Sequence, residues 1–257
     1  MNVRLVSVLT VVALVFASPL RAAETAEQWI ARARAYLGSE NALNSIATVH
    51  FTGTIEAMGQ EPAPDGKIQP VIQLQKLPIE IIFQKPSQQQ MTVTRPASID
   101  TMVLDDYDGW SKTTSRKDPK KWRVALLDTE QIKQLRANTW ENLSFYAGLE
   151  KHGGSVELGE DTVVDGVDCA KVSFIHSTRI VFHRYFDKTS GRLVKTTTLN
   201  GGEIREEGET IVNGVRFPKK VVNKTATGQV TTIIFDTVVL NEAIPAADFA
   251  VPSLESE

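Results

Sequence analysis

VVDGVDCAKVSF, residues Val163 to Phe174, sets the pattern for the second half of the chain, because an Asp-Gly pair there separates two runs of strand-forming residues. Asp-Gly supplies the positive backbone dihedrals that a two-residue hairpin turn requires, so it is a strong signal for a β-hairpin. Comparable turn sequences recur through residues 157–240, at Asp187–Gly191, Asn200–Gly202, Asn213-Gly214 and Ala226–Gly228. Consecutive hairpins predict an antiparallel meander, in which strands adjacent in sequence pair in space.

The first 23 residues have the features of a secretory signal peptide. Arg4 precedes the apolar run Leu5–Ala17, and Ser18–Ala23 is typical of a cleavage region. The apolar run is short for a membrane span, so an uncleaved anchor is the less favoured alternative. We therefore expect export to the periplasm and one mature domain over residues 24–257, held together without an internal disulfide because Cys169 is the only cysteine.

The charge balance limits the classes of partner. Without Arg4 and Arg21 the chain retains 26 basic residues against 31 acidic residues. This excess of negative charge argues against nucleic acid, or an anionic membrane surface, as the main partner. No further apolar run of spanning length follows, so the mature chain is not expected to cross a membrane.

Two helical regions are predicted outside the meander. Thr25, with Gln28 three residues later, has the pattern of a capping box, and Gly38 is placed to end that helix. A second, short helical stretch around Leu43 precedes the first strand. Asp128 is the predicted N-cap of the longer helical region, which we expect to break near Asn138 or Asn142.

The residues between these helices read as strands and turns. The segment 59–66 is rich in Gly, Pro and charge and predicts a hairpin loop, and Pro78 predicts an edge, a bulge or a break. Residues 85–87 and 107–109 predict turns, and 114–121 a solvated loop. The tail 241–252 is predicted to be extended, with apolar anchors between prolines.

The resulting order is a helical start, about five strands, a helix pair and about six strands. An antiparallel sheet of this size needs its apolar face covered, and the helices are the available cover. The fold class is therefore mainly β (α+β), with a large curved antiparallel sheet that forms an open half-barrel and helices over its concave face.

Catalytic and metal-binding signatures are missing from the sequence. The four histidines are scattered, with no HExxH or paired CxxC arrangement, and there is no G-x-S-x-G nucleophile elbow. Asp105, Asp106 and Asp108 offer carboxylates for a glycosidase, but acidic residues beside a hairpin glycine are common for backbone reasons. We expect no enzyme activity, metal or cofactor, and a hydrolase remains a minor alternative.

The tryptophan residues are the remaining candidates for a functional role. Trp29, Trp110, Trp122 and Trp140 lie on or near the helical stretches and the adjoining hairpin. Ordinary core packing is the more common role of such residues. A half-closed sheet under helices could instead leave an apolar space for acyl chains.

Several short motifs occur in an order that resembles the LolA-like superfamily of periplasmic lipoprotein carriers, the outer-membrane lipoprotein-sorting proteins. They span most of the mature chain: Ala42–Ile46 leading into Val49–Phe51, Phe83–Ser87, Tyr107–Trp110, Asp187–Leu193 and Ile244–Phe249. The resemblance implies an open, unclosed barrel with helices as a lid and an apolar interior that takes lipid acyl groups. It implies neither catalysis nor a metal.

Two departures from that family point to a ligand of this chain's own. The carriers proper have an Arg immediately before the turn proline, where this chain has Lys85. Lys keeps the charge but lacks the planar guanidinium with its several donors, so the contacts of that Arg with the lid backbone do not transfer directly. The chain is also longer than the carriers proper.

The sequence therefore predicts a periplasmic carrier or binding protein for a lipid or lipoprotein acyl group. Phe83, Trp110, Leu135 and Trp140 are the predicted cavity lining, with Lys85 near the rim. The expected partners are acyl chains and inner- or outer-membrane envelope proteins. The alternative is an envelope protein-interaction or sensor domain on the same scaffold, with a packed interior.

Overall fold

The computed structural model of the chain describes residues 24–61 and 71–252. Three α-helices are present in these residues: α1 at Ala26–Leu37, α2 at Glu40–Asn44 and α3 at Thr129–Leu143. Both predicted capping boxes form, with Thr25 capping α1 through Gln28 and Asp128 capping α3 through Gln131. Each box satisfies amide groups that the first helical turn leaves unpaired.

Fourteen strands form one antiparallel sheet. Before α3 come β1 Thr48–Glu61, β2 Val71–Gln84, β3 Gln88–Thr94, β4 Ser98–Asp105, β5 Asp108–Ser115 and β6 Trp122–Leu126. After α3 come β7 Ser155–Leu158, β8 Thr162–Val164, β9 Val167–Ser177, β10 Ile180–Asp187, β11 Leu193–Thr198, β12 Glu203–Val212, β13 Val215–Lys224 and β14 Val230–Leu240. Short 3-10 helices lie at Leu149–His152 and Ala246–Asp248.

The strand order is β6-β5-β4-β3-β2-β1-β14-β13-β12-β11-β10-β9-β7, with β8 paired to β9. The first and last strands of this order do not pair, so the sheet is an open half-barrel, which confirms the predicted fold class. The N-terminal strand β1 joins the two meanders by pairing with both β2 and β14. All of the hairpin turns predicted after residue 160 connect paired strands.

The sequence predicts about eleven strands against the fourteen observed, and β6 and β7 are among those it missed. Both are short edge strands whose residues are mostly exposed. An edge strand buries little side chain, so it carries a weak alternation of apolar and polar residues.

Pro78 lies within β2, opposite Thr54 of β1, one residue beyond the segment of β2 that pairs with β3. Its missing amide proton therefore costs no ladder hydrogen bond on the β3 side. The predicted edge position is confirmed.

The long helix does not break at Asn138, since α3 runs without interruption to Leu143, and the predicted alternative near Asn142 is confirmed, because the helix ends at the next residue. Side-chain hydrogen bonds, one to the sheet and one within the helix, compensate for the poor helix propensity of its asparagines. The Asn138 amide donates to Gln89 of β3 at 3.2 Å, and the Asn142 amide donates to the Asn138 carbonyl at 2.8 Å. These bonds give the polar side chains partners without disturbing the helix.

The core lies between the concave face and the helices. Trp29 and Ala33 of α1 pack with Phe174 of β9 and Phe186 of β10, whereas Leu43 of α2 belongs to the cluster around β1 and β2. Gly38, just after α1, approaches β13 so closely that a Cβ would lie 2.8 Å from the Gly214 carbonyl oxygen. A glycine is therefore needed where the first helix meets the sheet.

The C-terminal tail is only partly as predicted. Phe249 is fully buried, but the residues before it form a 3-10 turn rather than an extended segment, and Val251 is 48% exposed. Phe249 is therefore the anchor of this segment. The predicted signal peptide at 1–23 and residues 62–66 of the predicted hairpin loop lie outside the described residues.

Candidate functional site

A cavity of about 310 Å³, here called the hollow, lies between the concave face of the sheet and α3. Residues of β1, β2, β3 and β10 to β14 line it from the sheet, and Asn138, Glu141 and Asn142 of α3 line it from above. Its volume is at the lower end of the range for small-molecule pockets, about 300–1,000 Å³. The helix and the sheet therefore leave a space that could hold a ligand.

One side of the hollow is apolar. It consists of Phe51, Ile81, Phe83, Ile233 and Phe235, here called the apolar wall, which come from the adjacent strands β2, β1 and β14. The Phe51 ring lies 4.5 Å from that of Phe235 and 6.3 Å from that of Phe83, measured between centroids. Alternation along each strand puts these side chains on one face, as β geometry requires.

The opposite side is built by β10, β11 and β12, and it carries polar side chains beside Phe182 and Ile204. The polar residues are Arg184, Thr196 and Glu206, here called the charged wall. Arg184 is 7% exposed, and its guanidinium lies 4.6 Å from the ring centroid of Tyr146 and 4.9 Å from that of Phe174. This is a cation–π arrangement in a desolvated setting, where such contacts are strongest.

Glu141 of α3 compensates the charge of Arg184. Its carboxylate is in ion-pair contact with Arg184 Nη2 and accepts a hydrogen bond from His176 Nε2 at 2.6 Å. Arg184 Nε and Nη1 have no hydrogen-bond partner among the described residues. The group is thus balanced in charge but retains two buried donors.

Glu206 projects into the hollow and forms no ion pair with the described residues. The Glu206 side chain is solvent-exposed at the hollow, although the protein atoms around the hollow partly desolvate its carboxyl. Burial raises the pKa of the Glu206 carboxyl, Arg184 opposes that effect and Glu141 adds to it. A raised pKa widens the pH range in which the Glu206 carboxyl is neutral, and a neutral carboxyl can donate a hydrogen bond.

Of the residues predicted from sequence to bind a ligand, Phe83 lines the hollow and is 4% exposed. Trp110 lies on the opposite face of the sheet, in a cluster with Ile82, Val103 and Phe249, and its Nε1 donates to the Phe249 carbonyl at 3.0 Å. Trp110 pairs across the sheet with Val103, and this line of paired residues continues to Ile82, so Trp110 and Ile82 share a face. Phe83, the next residue after Ile82, points to the other face. Trp110 therefore anchors the C-terminal tail, and it does not line the hollow.

The two predicted residues of α3 also lie outside the hollow. Trp140 is packed 5.3 Å from His176 and 6.4 Å from Phe174, between ring centroids. It lines a separate surface pocket of about 450 Å³ that includes Tyr107 and Arg136. Leu135 is half-buried on α3 and does not contribute to the lining of the hollow.

Lys85 is exposed in the turn after β2, and among the described residues its ammonium forms no ion pair. Partial burial, and the nearby charge of Arg34, lower the pKa of the Lys85 ammonium. Arg34 of α1 is the residue that holds the end of α3. Its Nη1 donates to the carbonyls of Ser144 and Phe145, each at 2.8 Å, and Glu40 binds the other edge of the guanidinium.

The Arg34 guanidinium thus provides the planar set of donors that the Lys85 ammonium lacks, and it does so from α1 rather than from the turn after β2. The two carbonyls that it binds lie directly before Tyr146, whose ring packs against Arg184. The contact therefore fixes both the end of the helix and one border of the hollow.

The sequence reasoning missed Arg184 and Glu206, although alternation could have identified both. In β10 every second residue faces inward, and Arg184 occupies that position between Phe182 and Phe186. In β12, Glu206 shares the face of Ile204, and both line the hollow. A charged residue at an inward position is the signal to look for.

Two further findings apply to residues 24–61 and 71–252. No helix in these ranges is long and apolar enough to cross a membrane. Nor do they contain a group of three or more His, Cys, Asp or Glu side chains that could hold a metal ion.

Comparisons with known proteins give information on the fold. No protein-family model matches the chain, and no curated protein matches it. Among solved structures, it is similar to a LolA superfamily protein from Nitrosomonas europaea, with a TM-score of 0.58 at 13% identity over 89% of this chain and 99% of the other.

Two more structures have a TM-score of 0.53. One is a DUF1329 family protein from Desulfovibrio piger, at 10% identity over 89% of this chain and 98% of the other. The second is a domain from Vibrio parahaemolyticus named for outer-membrane lipoprotein sorting, at 12% identity over 87% and 97%. At these identities the likeness concerns the fold, and the chain has a LolA-like fold.

Proposed function

We propose that this protein binds an acyl chain of a lipid or lipoprotein in the hollow and carries it, without catalysis. The observation that carries the proposal is the apolar wall of Phe51, Ile81, Phe83, Ile233 and Phe235 beside an unfilled space of about 310 Å³. The LolA-like fold supports the same interpretation. Export by a cleaved signal peptide at 1–23 and action in the periplasm are part of the proposal.

Binding would be driven by removal of methylene groups from water, at about 0.8 kcal/mol for each buried CH₂. The apolar wall offers rings and branched aliphatic side chains but no hydrogen-bonding groups. It therefore suits a hydrocarbon chain. The predicted envelope-protein donors or acceptors would hand over that chain.

The charged wall gives the ligand an orientation. Arg184 has two unpartnered donors, and the neutral form of Glu206 is a third. Donors in an enclosed space favour an acceptor oxygen, such as the carbonyl of an ester, amide or carboxyl group. We place the polar end of the ligand beside β10–β12 and its hydrocarbon along β1, β2 and β14.

A matched pair of substitutions on β14 tests the proposal. Ile233 lines the hollow, whereas Ile234, the next residue, points to the other face of the sheet. Delipidated wild type is titrated with a fluorescent fatty-acyl probe, and saturable binding is expected. Ile233→Trp should weaken that binding at least tenfold by filling the hollow, and Ile234→Trp should leave it unchanged.

Folding of each variant is checked by the urea midpoint of unfolding. Absence of saturable binding to the wild type would overturn the proposal and favour the interaction-domain alternative. Equal loss in the two variants would show that the probe binds elsewhere.

A further inference from the structure

The hairpin between β5 and β6 has a charge opposite to that of the whole chain. Residues 112–123, both ends included, contain six basic residues and one acidic residue, Asp118, in a chain of formal net charge −3. We call residues 112–123 the basic hairpin. Its charge acts locally, because salt screens interactions beyond about 8–10 Å, so the net charge of the chain does not cancel it at close range.

The basic hairpin is held in a defined shape by its backbone. The Ser115 amide donates to the Lys121 carbonyl at 2.9 Å, and the Arg116 amide donates to the Ala97 carbonyl at 3.0 Å. The Asp118 carboxylate accepts from the Lys120 amide at 3.2 Å. The only acidic residue is thus used to close the turn, while the cations stay on the outside.

The cations of the hairpin are largely uncompensated. Arg116, Lys117, Lys120 and Arg123 are exposed and form no ion pair with the described residues. Lys121 lies 3.6 Å from the Asp118 carboxylate, which is already bound to the backbone. Four full positive charges therefore project from one end of the sheet.

An exposed tryptophan accompanies these charges. Trp122 follows Lys121 directly and is 37% exposed, and the Lys112 ammonium lies 5.1 Å from its ring centroid. A shallow groove beside it is lined by residues of the neighbouring turn and strands, including Ala97 and Thr113. An indole next to a cluster of cations is the combination that favours the headgroup region of a bilayer.

We propose that the basic hairpin docks the protein on the surface of an anionic phospholipid bilayer. The lysines and arginines meet lipid phosphates, and Trp122 enters at the level of the headgroups. A nucleic acid is less suitable, because single-strand binding needs several stacking rings in series and this hairpin has one. The proposal goes beyond binding of a ligand in the hollow and does not depend on it.

Flotation of the intact mature chain with vesicles tests the proposal. Binding is expected to phosphatidylcholine vesicles that contain phosphatidylglycerol, to fall with salt, and to be absent on phosphatidylcholine alone. The triple substitution Lys117→Gln, Lys120→Gln and Lys121→Gln should weaken partitioning about 100-fold, since each cation near the surface contributes about fivefold. Trp122→Ser should weaken it about tenfold, with the charges intact.

The control removes three exposed cations elsewhere, by Lys151→Gln, Arg179→Gln and Lys219→Gln. This variant has the same net charge as the first triple variant and should bind vesicles like the wild type. Equal loss in both variants, or equal binding to neutral vesicles, would overturn the proposal. The proposal would also be overturned if the protein bound a short RNA more tightly than the vesicles and Trp122→Ser left that RNA binding unchanged.

Failure of this proposal can be separated from failure of the proposed function. Ile233→Trp should lose the acyl probe and keep vesicle binding. The Lys117, Lys120 and Lys121 triple variant should keep the probe and lose the vesicles.

Discussion

The apolar wall and the charged wall face each other across one hollow, and the same sheet builds both. In the apolar wall, Phe51 packs against both Phe83 and Phe235. These contacts have no directional requirement, so another hydrophobic side chain could make them. In the charged wall, Arg184 has one anionic partner, Glu141, which comes from α3 rather than from the sheet.

The two walls therefore tolerate change differently. Hydrophobic contacts have no direction and lose stability in proportion to the volume removed. A buried ion pair loses much more when one partner is removed than when both are, because the remaining charge is left without compensation. The apolar wall therefore provides the space, whereas the charged wall ties α3 to the sheet.

The largest effect is expected from removal of one member of the ion pair. Arg184→Met should lower the free energy of unfolding by about 3–5 kcal/mol, because Glu141 would stay buried without its cation. Urea unfolding at pH 8 measures the change. The double variant with Glu141→Leu should recover most of the loss, and a double variant as unstable as the single one would contradict the comparison.

An effect of about 3 kcal/mol is expected from the apolar wall. Phe51 is 5% exposed, so Phe51→Ala removes buried ring contacts and enlarges the hollow. The same urea unfolding experiment applies, with Val239→Ala on the neighbouring strand as the control. Val239 is 44% exposed and should cost less than about 0.5 kcal/mol. Similar losses in the two variants would show that Phe51 is not part of the core.

The smallest effect concerns the pH dependence of stability. The pKa of Glu206 is raised in the folded protein, so between its unfolded value and the raised value only the unfolded state loses the proton. Stability is therefore lost as pH rises through that window. Glu206→Gln removes this loss, so the variant should match the wild type near pH 4 and be more stable at pH 8.

The slope should be smaller than the limit of about 1.4 kcal/mol per pH unit, because the Glu206 side chain is exposed and solvent screens its carboxylate. Thermal unfolding from pH 4 to pH 8 measures the difference. The control is Glu207→Gln, the next residue, whose carboxylate pairs with Lys220 at 2.6 Å on the other face. If Glu207→Gln gave the same pH profile, Glu206 would not be the responsible group.

Local features were predictable wherever neighbouring residues decide the structure. The Asp165-Gly166 and Asn213-Gly214 turns have positive φ at all four residues, as two-residue hairpins require. The capping boxes at Thr25 and Asp128 are equally local, since they join residues three apart. These signals fix where strands and helices begin, and with them the fold class.

Features that depend on distant residues were not predicted. Trp110 looked like a lining residue until the register of β2 to β5 placed it beside Ile82, on the outer face. Lys85 was predicted near the rim, and no residue was predicted to contact the lid backbone; Arg34 makes that contact by reaching Ser144 across 110 residues of sequence. A one-residue shift of register would reverse the face of every side chain in a strand, and no local pattern excludes that shift.

The sequence by itself thus determined an antiparallel meander with capped helices, because turn and cap chemistry acts over a few residues. Only the tertiary structure decided that an open space remains under α3, and that Arg184, Glu141 and Glu206 meet at its side. Whether a space is filled depends on the volumes of side chains brought together from many strands, and this sum becomes defined only when the curved sheet and α3 have packed together.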